Sequence, residues 1–485
     1  MKHFLSVTAL LLLAFCLTGC GGRRGGITEP RSEPSVEPTV YRIVAELSPR
    51  EHILSVESEI EYSVPIDDLS AVKFRIYPNA YSQGREVVTE DKRDAAYPNG
   101  RVTYGGVDIL SVSSDLPVTD YDLGQDDVLT VRLGETLRKG ARVCFRIAER
   151  ITLANVRHRL GYYGDYYYLS NFYPEVCPFS GGKYLTYEYT PYGDPFLMEN
   201  ASFSLDLTLP VGYGTACSAP EIRRERQGTV ERIIYASSAT REIALVTSPA
   251  LRAVTADLHG VTVAYHYADG SDREKMLAFL LDAMAYYEER FGAYPYPAYS
   301  VVSAPFFESG VEHPGMSLIS SDLSLAHKKK TASHETAHQW WFGKVGNDEY
   351  LSPWLDEGLA EYSVACYYRA RGYDAVAREM IRDAEDAYSI RLALKGSEGV
   401  RFDLPLPMLS DGYYDRVYAG GLLLFHALSE RFGEDRFHAA LRDFSDSYAG
   451  KIASPDTLIR SLTHSLGEDP SALFRVWLTG SVPLQ

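Results

Sequence analysis

The sequence predicts a multidomain α+β protein, with an N-terminal antiparallel β saddle or sandwich followed by an α+β unit that ends in a run of helices. Three observations carry this. From Tyr41 to about Leu251, apolar and polar residues alternate at the period of half-buried strands. Beyond residue 260 the period becomes that of amphipathic helices. The 485 residues are 45% hydrophobic and 23% charged, enough apolar material for two or three cores.

The first residues read as processing information rather than fold. Lys2 and His3 open the chain, and Phe4 to Leu17 is a mostly apolar run. It is shorter than the roughly 20 apolar residues a permanent spanning helix needs. The run ends in Leu17-Thr18-Gly19-Cys20, which resembles the lipobox of bacterial lipoproteins. That resemblance implies a signal peptide over 1–19, a lipidated Cys20, and an extracytoplasmic protein anchored to a bacterial membrane. Inner and outer membrane both stay open. Residues 20–40 are rich in Gly, Pro, Ser and Glu and form no core, so they are expected to be a tether.

Residues 41–252 are assigned to the β saddle. Strands are predicted at Val44 to Leu47, Leu54 to Tyr62, Val72 to Tyr77, Val128 to Leu133, Ala201 to Leu209 and Ile233 to Ser237. Residues 253–485 form the second unit. It opens with a strand at Val261 to Tyr267 and an amphipathic helix at Asp272 to Phe291. Further strands are expected at Tyr299 to Ala304 and Val311 to Ile319, and helices at Thr331 to Gly343 and Trp354 to Arg371. Helical periodicity then dominates, at about 374–394, 418–432, 434–447, 455–466 and 470–479.

Charge and cysteine usage narrow the function. Lys plus Arg is 48 against 65 for Asp plus Glu, a net charge of −17, which argues against nucleic acid as a partner. Cys144, Cys177, Cys217 and Cys366 are too irregularly spaced for a zinc ribbon or a disulfide framework. A Cys177–Cys217 bridge and four buried thiols are both compatible with that spacing.

The chemistry is concentrated at His334-Glu335-Thr336-Ala337-His338. Residues four apart share a helix face, so both imidazoles can reach one metal ion. Glu335 occupies the adjoining sector, from which it can take a proton from the water such a metal activates. Nineteen positions after His338, Glu357 offers a third ligand early in the next predicted helix. Two His and one Glu form a catalytic zinc set with one position open, so one Zn2+ per chain is expected. Asp356 and Glu361 flank Glu357, and the sequence reads them equally well as partners of the ligand histidines or as solvated carboxylates.

Taken together, His334 to Gly343 and Asp356-Glu357-Gly358-Leu359-Ala360-Glu361-Tyr362 resemble the gluzincin aminopeptidases of the aminopeptidase N and leukotriene hydrolase family. Upstream, Ser309-Gly310-Val311-Glu312-His313 is similar to that family's G-x-M-E-N motif, with Ser309, Val311 and His313 departing from it. The resemblance implies a thermolysin-like catalytic domain with a helical tail. It also implies that Glu312 holds the substrate's free α-amine, while the strand around Gly310 pairs with the peptide backbone. Val417-Tyr418-Ala419-Gly420 resembles the family's Y-x-K-G segment, with Gly420 in place of lysine, and implies Tyr418 as the oxyanion donor. Tyr413 and Tyr414 compete for that role. Little sequence follows Tyr418, so the large C-terminal helical domain of many relatives is expected to be absent or reduced.

The expected function is zinc-dependent removal of N-terminal residues from peptides with a free amine. One rival is an endopeptidase or non-peptide hydrolase of the same fold. The other is a surface lipoprotein that binds peptides without turnover.

Overall fold

A computed structural model describes residues 37–482. The lipobox, Cys20 and most of the tether lie outside the described residues. Alternation of buried and exposed positions organises the first half, and Val40–Ser48 and Ile53–Ser63 bury every second side chain. They form the middle of a seven-stranded sheet whose order is Glu221–Gln227, Val230–Thr240, Ala201–Pro210, Val40–Ser48, Ile53–Ser63, Arg142–Thr152 and Gly106–Ser114.

The saddle is not wholly antiparallel, because Val40–Ser48 and Ala201–Pro210 pair in parallel. The chain builds other sheets between these two strands and returns beside the first. A four-stranded sheet around Leu69–Arg75 and Val128–Leu137 shares its core, through Phe74, Leu129, Phe145 and Leu205. A second four-stranded sheet contains Tyr166–Leu169 and Leu245–Ser248. Its Tyr168, Ala216 and Val246 pack against Val302, Phe306, Val311 and Leu318, joining the saddle to the second half.

The second half is built on a five-stranded sheet, in the order Arg252–Leu258, Val261–Tyr267, Ala298–Ala304, Met316–Ser320 and Gly310–His313. The stretch expected as one strand at 311–319 is therefore a hairpin, and its first arm is the sheet edge. Gly315 makes the turn at φ 86°, and a Cβ there would stand 2.3 Å from the Ser218 carbonyl oxygen. The helix Arg273–Phe291 matches its expected position almost residue for residue.

The helix carrying the histidine motif differs from expectation. It runs Leu325–Ala337, capped by the Ser324 side chain, rather than from 331 to 343. Past His338 the chain turns back on itself, and Phe342 adopts φ 139°. The helices Trp354–Ala370, Asp374–Val400, Gly420–Phe432, Glu434–Ser447, Pro455–Leu466 and Ser471–Leu478 complete the fold. Cys144, Cys177, Cys217 and Cys366 are all free thiols. Among the described residues no helix is long and apolar enough to cross a membrane.

Candidate active site and metal centre

The last turn of the motif helix meets the first turn of Trp354–Ala370, which brings His334 and Glu335 to Glu357, with His338 at the helix cap. His334 Nε2 and His338 Nε2 are 3.0 Å apart, and Glu357 Oε2 lies 3.1 and 3.2 Å from them. A tetrahedral cation with bonds of about 2.0–2.1 Å sets its ligand atoms about 3.3 Å apart, so this triangle fits zinc. Glu357 also sits where the positive end of its helix dipole favours a carboxylate.

Second partners aim the ligands. His338 Nδ1 donates to the Trp341 carbonyl at 3.0 Å, which leaves the Nε2 lone pair facing the triangle. That contact explains the shorter helix, because the carbonyl reaches the ring only where the chain leaves the helical path. Glu361 Oε1 lies 3.0 Å from His334 Nδ1, off the straight hydrogen-bond direction. Asp356 does not serve a histidine, since its Oδ1 accepts from Asn347 Nδ2 at 3.0 Å.

Carboxylates outnumber imidazoles here. Burial pushes the Glu335 carboxyl up to about 8, and Glu312 and Glu357 add to the push against His334 and His338. Burial alone would lower His338, but Glu312 and Glu357 carry it up to about 9. Glu357 would rise through burial, yet His338 and His334 hold it well below the usual range. Glu335 Oε2 is buried without a hydrogen-bond partner among the described residues. A divalent cation held by the triangle answers both the excess negative charge and the orphaned oxygen.

Across from the helix, the edge strand Gly310–His313 turns alternate residues inward. A Cβ on Gly310 would meet Glu335 Oε1 at 2.4 Å, so the glycine leaves room for that carboxylate. Two residues on, Glu312 is buried, and its carboxylate, that of Glu335 and a His338 nitrogen lie within 4.8 Å of one another. His313 faces the other way, toward the saddle. Its Nδ1 is 2.7 Å from Glu242 Oε1 and its Nε2 is 3.1 Å from Ser170 Oγ.

Tyr418 lies on a π-helical turn, Asp415–Ala419, that precedes the helix expected to begin there. Its hydroxyl donates to Glu357 Oε1, and its ring stacks on His334 with centroids 5.8 Å apart. Of its competitors, Tyr414 donates to Glu308 at 3.4 Å, while the buried Tyr413 hydroxyl has no partner among the described residues. Gly421 brings this segment close, packing on Gly358 beside Glu357 with added Cβ atoms 2.6–2.7 Å from the opposing Cα. At Gly420, any side chain would meet the Phe402 ring at 2.8 Å. His334, Glu335, Gly310 and Tyr418 line one open cavity of about 500 Å³.

Residues 277–477 match the peptidase family M1 domain, which includes all three ligands, Glu312, Glu335 and Tyr418. This stretch of the chain, the one that carries the site, is similar to peptidase family M1. The chain is 24% identical over 298 residues to aminopeptidase M1-B of Oryza sativa subsp. japonica, covering 57% of this chain and 34% of that one. It is 25% identical over 398 residues to aminopeptidase N of Lactobacillus helveticus, covering 76% and 46%. The chain thus spans less than half the length of these curated relatives. Its fold is similar to that of an M1 zinc metallopeptidase from Deinococcus radiodurans, with TM-score 0.65, 17% identity and coverage of 93% and 95%. A mutant of that protein bound to a Tyr-Ser-Ala substrate gives TM-score 0.66 at 18% identity, covering 93% and 95%.

Some groups of this site carry no signal in the sequence. The Trp341 carbonyl acts through backbone, which a residue pattern does not display. Glu308, Lys92, His327 and Lys330 also line the cavity, and only their place in the fold brings them there. For Glu361 the helical spacing from Glu357 was the available clue.

Proposed function

We propose that this protein is a zinc-dependent aminopeptidase of the M1 type acting on peptides outside the cytoplasm, held to a membrane through Cys20. One observation carries the exopeptidase reading, namely that Glu312 sits within 4.8 Å of the Glu335 carboxylate and a His338 nitrogen. In a peptide the α-amine lies two bonds, about 2.5 Å, from its own carbonyl carbon. An ammonium held by Glu312 therefore presents the first peptide bond, and no later one, to Glu335. A substrate chain continuing past that point would bury Glu312 against an uncharged amide, which is unfavourable.

His334, His338 and Glu357 would hold zinc, supplying a Lewis acid that acidifies the attacking water and polarises the scissile carbonyl. Glu335 takes the water's proton and delivers it to the departing amine. The Tyr418 hydroxyl, beside Glu357 at rest, turns to donate to the tetrahedral oxyanion. The open edge at Gly310–His313 pairs with the peptide backbone. The tripeptide bound by the Deinococcus radiodurans relative supports this substrate class.

The test compares aminoacyl-amide reporters with their N-acetylated counterparts, with and without a zinc chelator. Free-amine substrates are expected to be cut at least 100-fold faster, and zinc to restore chelated enzyme. Equal cleavage of blocked substrates overturns the exopeptidase reading. The membrane reading rests on Leu17-Thr18-Gly19-Cys20, and Cys20→Ser is expected to abolish acyl labelling and release the protein.

A further inference from the structure

The cleft has a direction. Gly310 lies over Glu335 and Thr331, Glu312 sits beside Glu335 and His338, and the His313 carbonyl accepts from Gln339 Nε2 at 3.0 Å. Edge strand and motif helix therefore run side by side in the same sense. From the amine anchor at Glu312, the cavity opens toward Phe307–Gly310 on one wall and the first turns of the helix on the other. The helix wall is formed by residues 327, 330, 331, 334 and 335, the spacing of a single face.

Two of those residues, His327 and Lys330, bring basic groups to the far end. Lys330 has no carboxylate within ion-pair distance among the described residues. The other lysine on the wall, Lys92, is already engaged, standing 5.4 Å over the Tyr414 ring and acting on Glu308. Of the remaining anions, Glu361 is turned to His334 and feels Lys330 only from beyond ion-pair distance, and Glu335 faces the metal triangle. Lys330 is the exposed lysine of this wall, with no carboxylate in contact and no ring beneath it among the described residues, so its ammonium is open to a ligand.

The distances match a short peptide. Lys330 precedes His338 by eight residues, about 12 Å along the helix axis. An extended peptide advances about 3.3–3.6 Å per residue, so a tripeptide bound at Glu312 ends about 10 Å further on. We propose that Lys330 binds the C-terminal carboxylate of short peptides, which makes tripeptides the favoured substrate class. This rests on the aminopeptidase reading above.

The experiment measures kcat/KM for Tyr-Ser-Ala and for its C-terminal amide in the wild type, Lys330→Ala, Lys330→Arg and Lys330→Glu. The acid-to-amide ratio is internal to each variant, so a general loss of activity does not move it. The wild type is expected to prefer the free acid by about three- to tenfold, mostly through KM, and less so at high salt. The ratio should fall to about one in Lys330→Ala, drop below one in Lys330→Glu and return in Lys330→Arg. Equal cleavage of acid and amide by the wild type, or an unchanged ratio in Lys330→Ala, overturns the proposal and leaves the aminopeptidase reading standing. If neither peptide is cut, that reading fails and this one falls with it.

Discussion

At the scale of single residues, the chemistry divides between groups that hold and groups that react. Glu335 reacts without ligating, so Glu335→Gln is expected to lower kcat by about 10³-fold while the protein keeps one zinc per chain, checked by kinetics alongside metal analysis. Loss of the metal in that variant would make Glu335 a ligand instead. Gly310 tests the fit of the same carboxylate. In Gly310→Ala the new methyl would stand 2.4 Å from Glu335 Oε1 and 2.7 Å from Thr331 Cγ2. A shift of that size in a catalytic group costs about 100-fold in kcat, with little change in melting temperature. These residues were legible because helical spacing is a geometric rule, and His334, Glu335 and His338 obey it. What the sequence hid was the Trp341 carbonyl on His338, since any residue carries a carbonyl and only the turn after Ala337 aims this one.

At the scale of elements, long periodic segments were legible and their ends were not. Arg273–Phe291 and Glu434–Ser447 lie where their apolar spacing puts them. The motif helix was misplaced because its first turns, Leu325 to Lys330, are largely polar and its end is set by a tertiary contact. The hairpin at 310–320 was merged because its arms, Gly310–His313 and Met316–Ser320, are each short, although Pro314-Gly315 between them is a turn signal. Contact between elements is the harder property to read, and Gly358 against Gly421 is the clearest case. Gly358→Ala would drive a methyl into the backbone of the opposing helix, 2.7 Å from Gly421 Cα. Overpacking of this kind costs about 1–3 kcal/mol, and the helices part where Glu357 and Tyr418 must meet. A lower melting temperature together with weaker zinc affinity is expected. A change in stability alone would show that the crossing does not set the ligand's position.

At the scale of the whole molecule, the order of two β-rich and α-rich halves was legible from the change in period near residue 260. The parallel pairing of Val40–Ser48 with Ala201–Pro210 was not, because alternation gives a strand's faces but not its neighbour's direction. Buried histidines spread through the fold give the molecule a common response to acid. Burial, with Arg159 beside it, lowers His158 in the saddle to about 3, and burial lowers His266 in the five-stranded sheet to about 4. In the helical tail, burial and then Arg290 and Arg369 lower His438 to about 4. Each refuses in the fold a proton that it accepts near pH 6.5 when unfolded. The stability they contribute is therefore complete above about pH 6.5 and is lost as pH falls toward 4, at about 1.4 kcal/mol per unit for each ring. Glu149 and Glu175, raised by burial, act in the opposite sense, so the test isolates one histidine. His438 Nε2 meets the Tyr362 hydroxyl at 3.0 Å, a bond a glutamine side chain can keep. His438→Gln is expected to flatten the fall of urea stability between pH 6.5 and 5 by about 1.4 kcal/mol per unit. An unchanged slope would mean that this imidazole is protonated in the native fold, and that acid unfolding begins elsewhere.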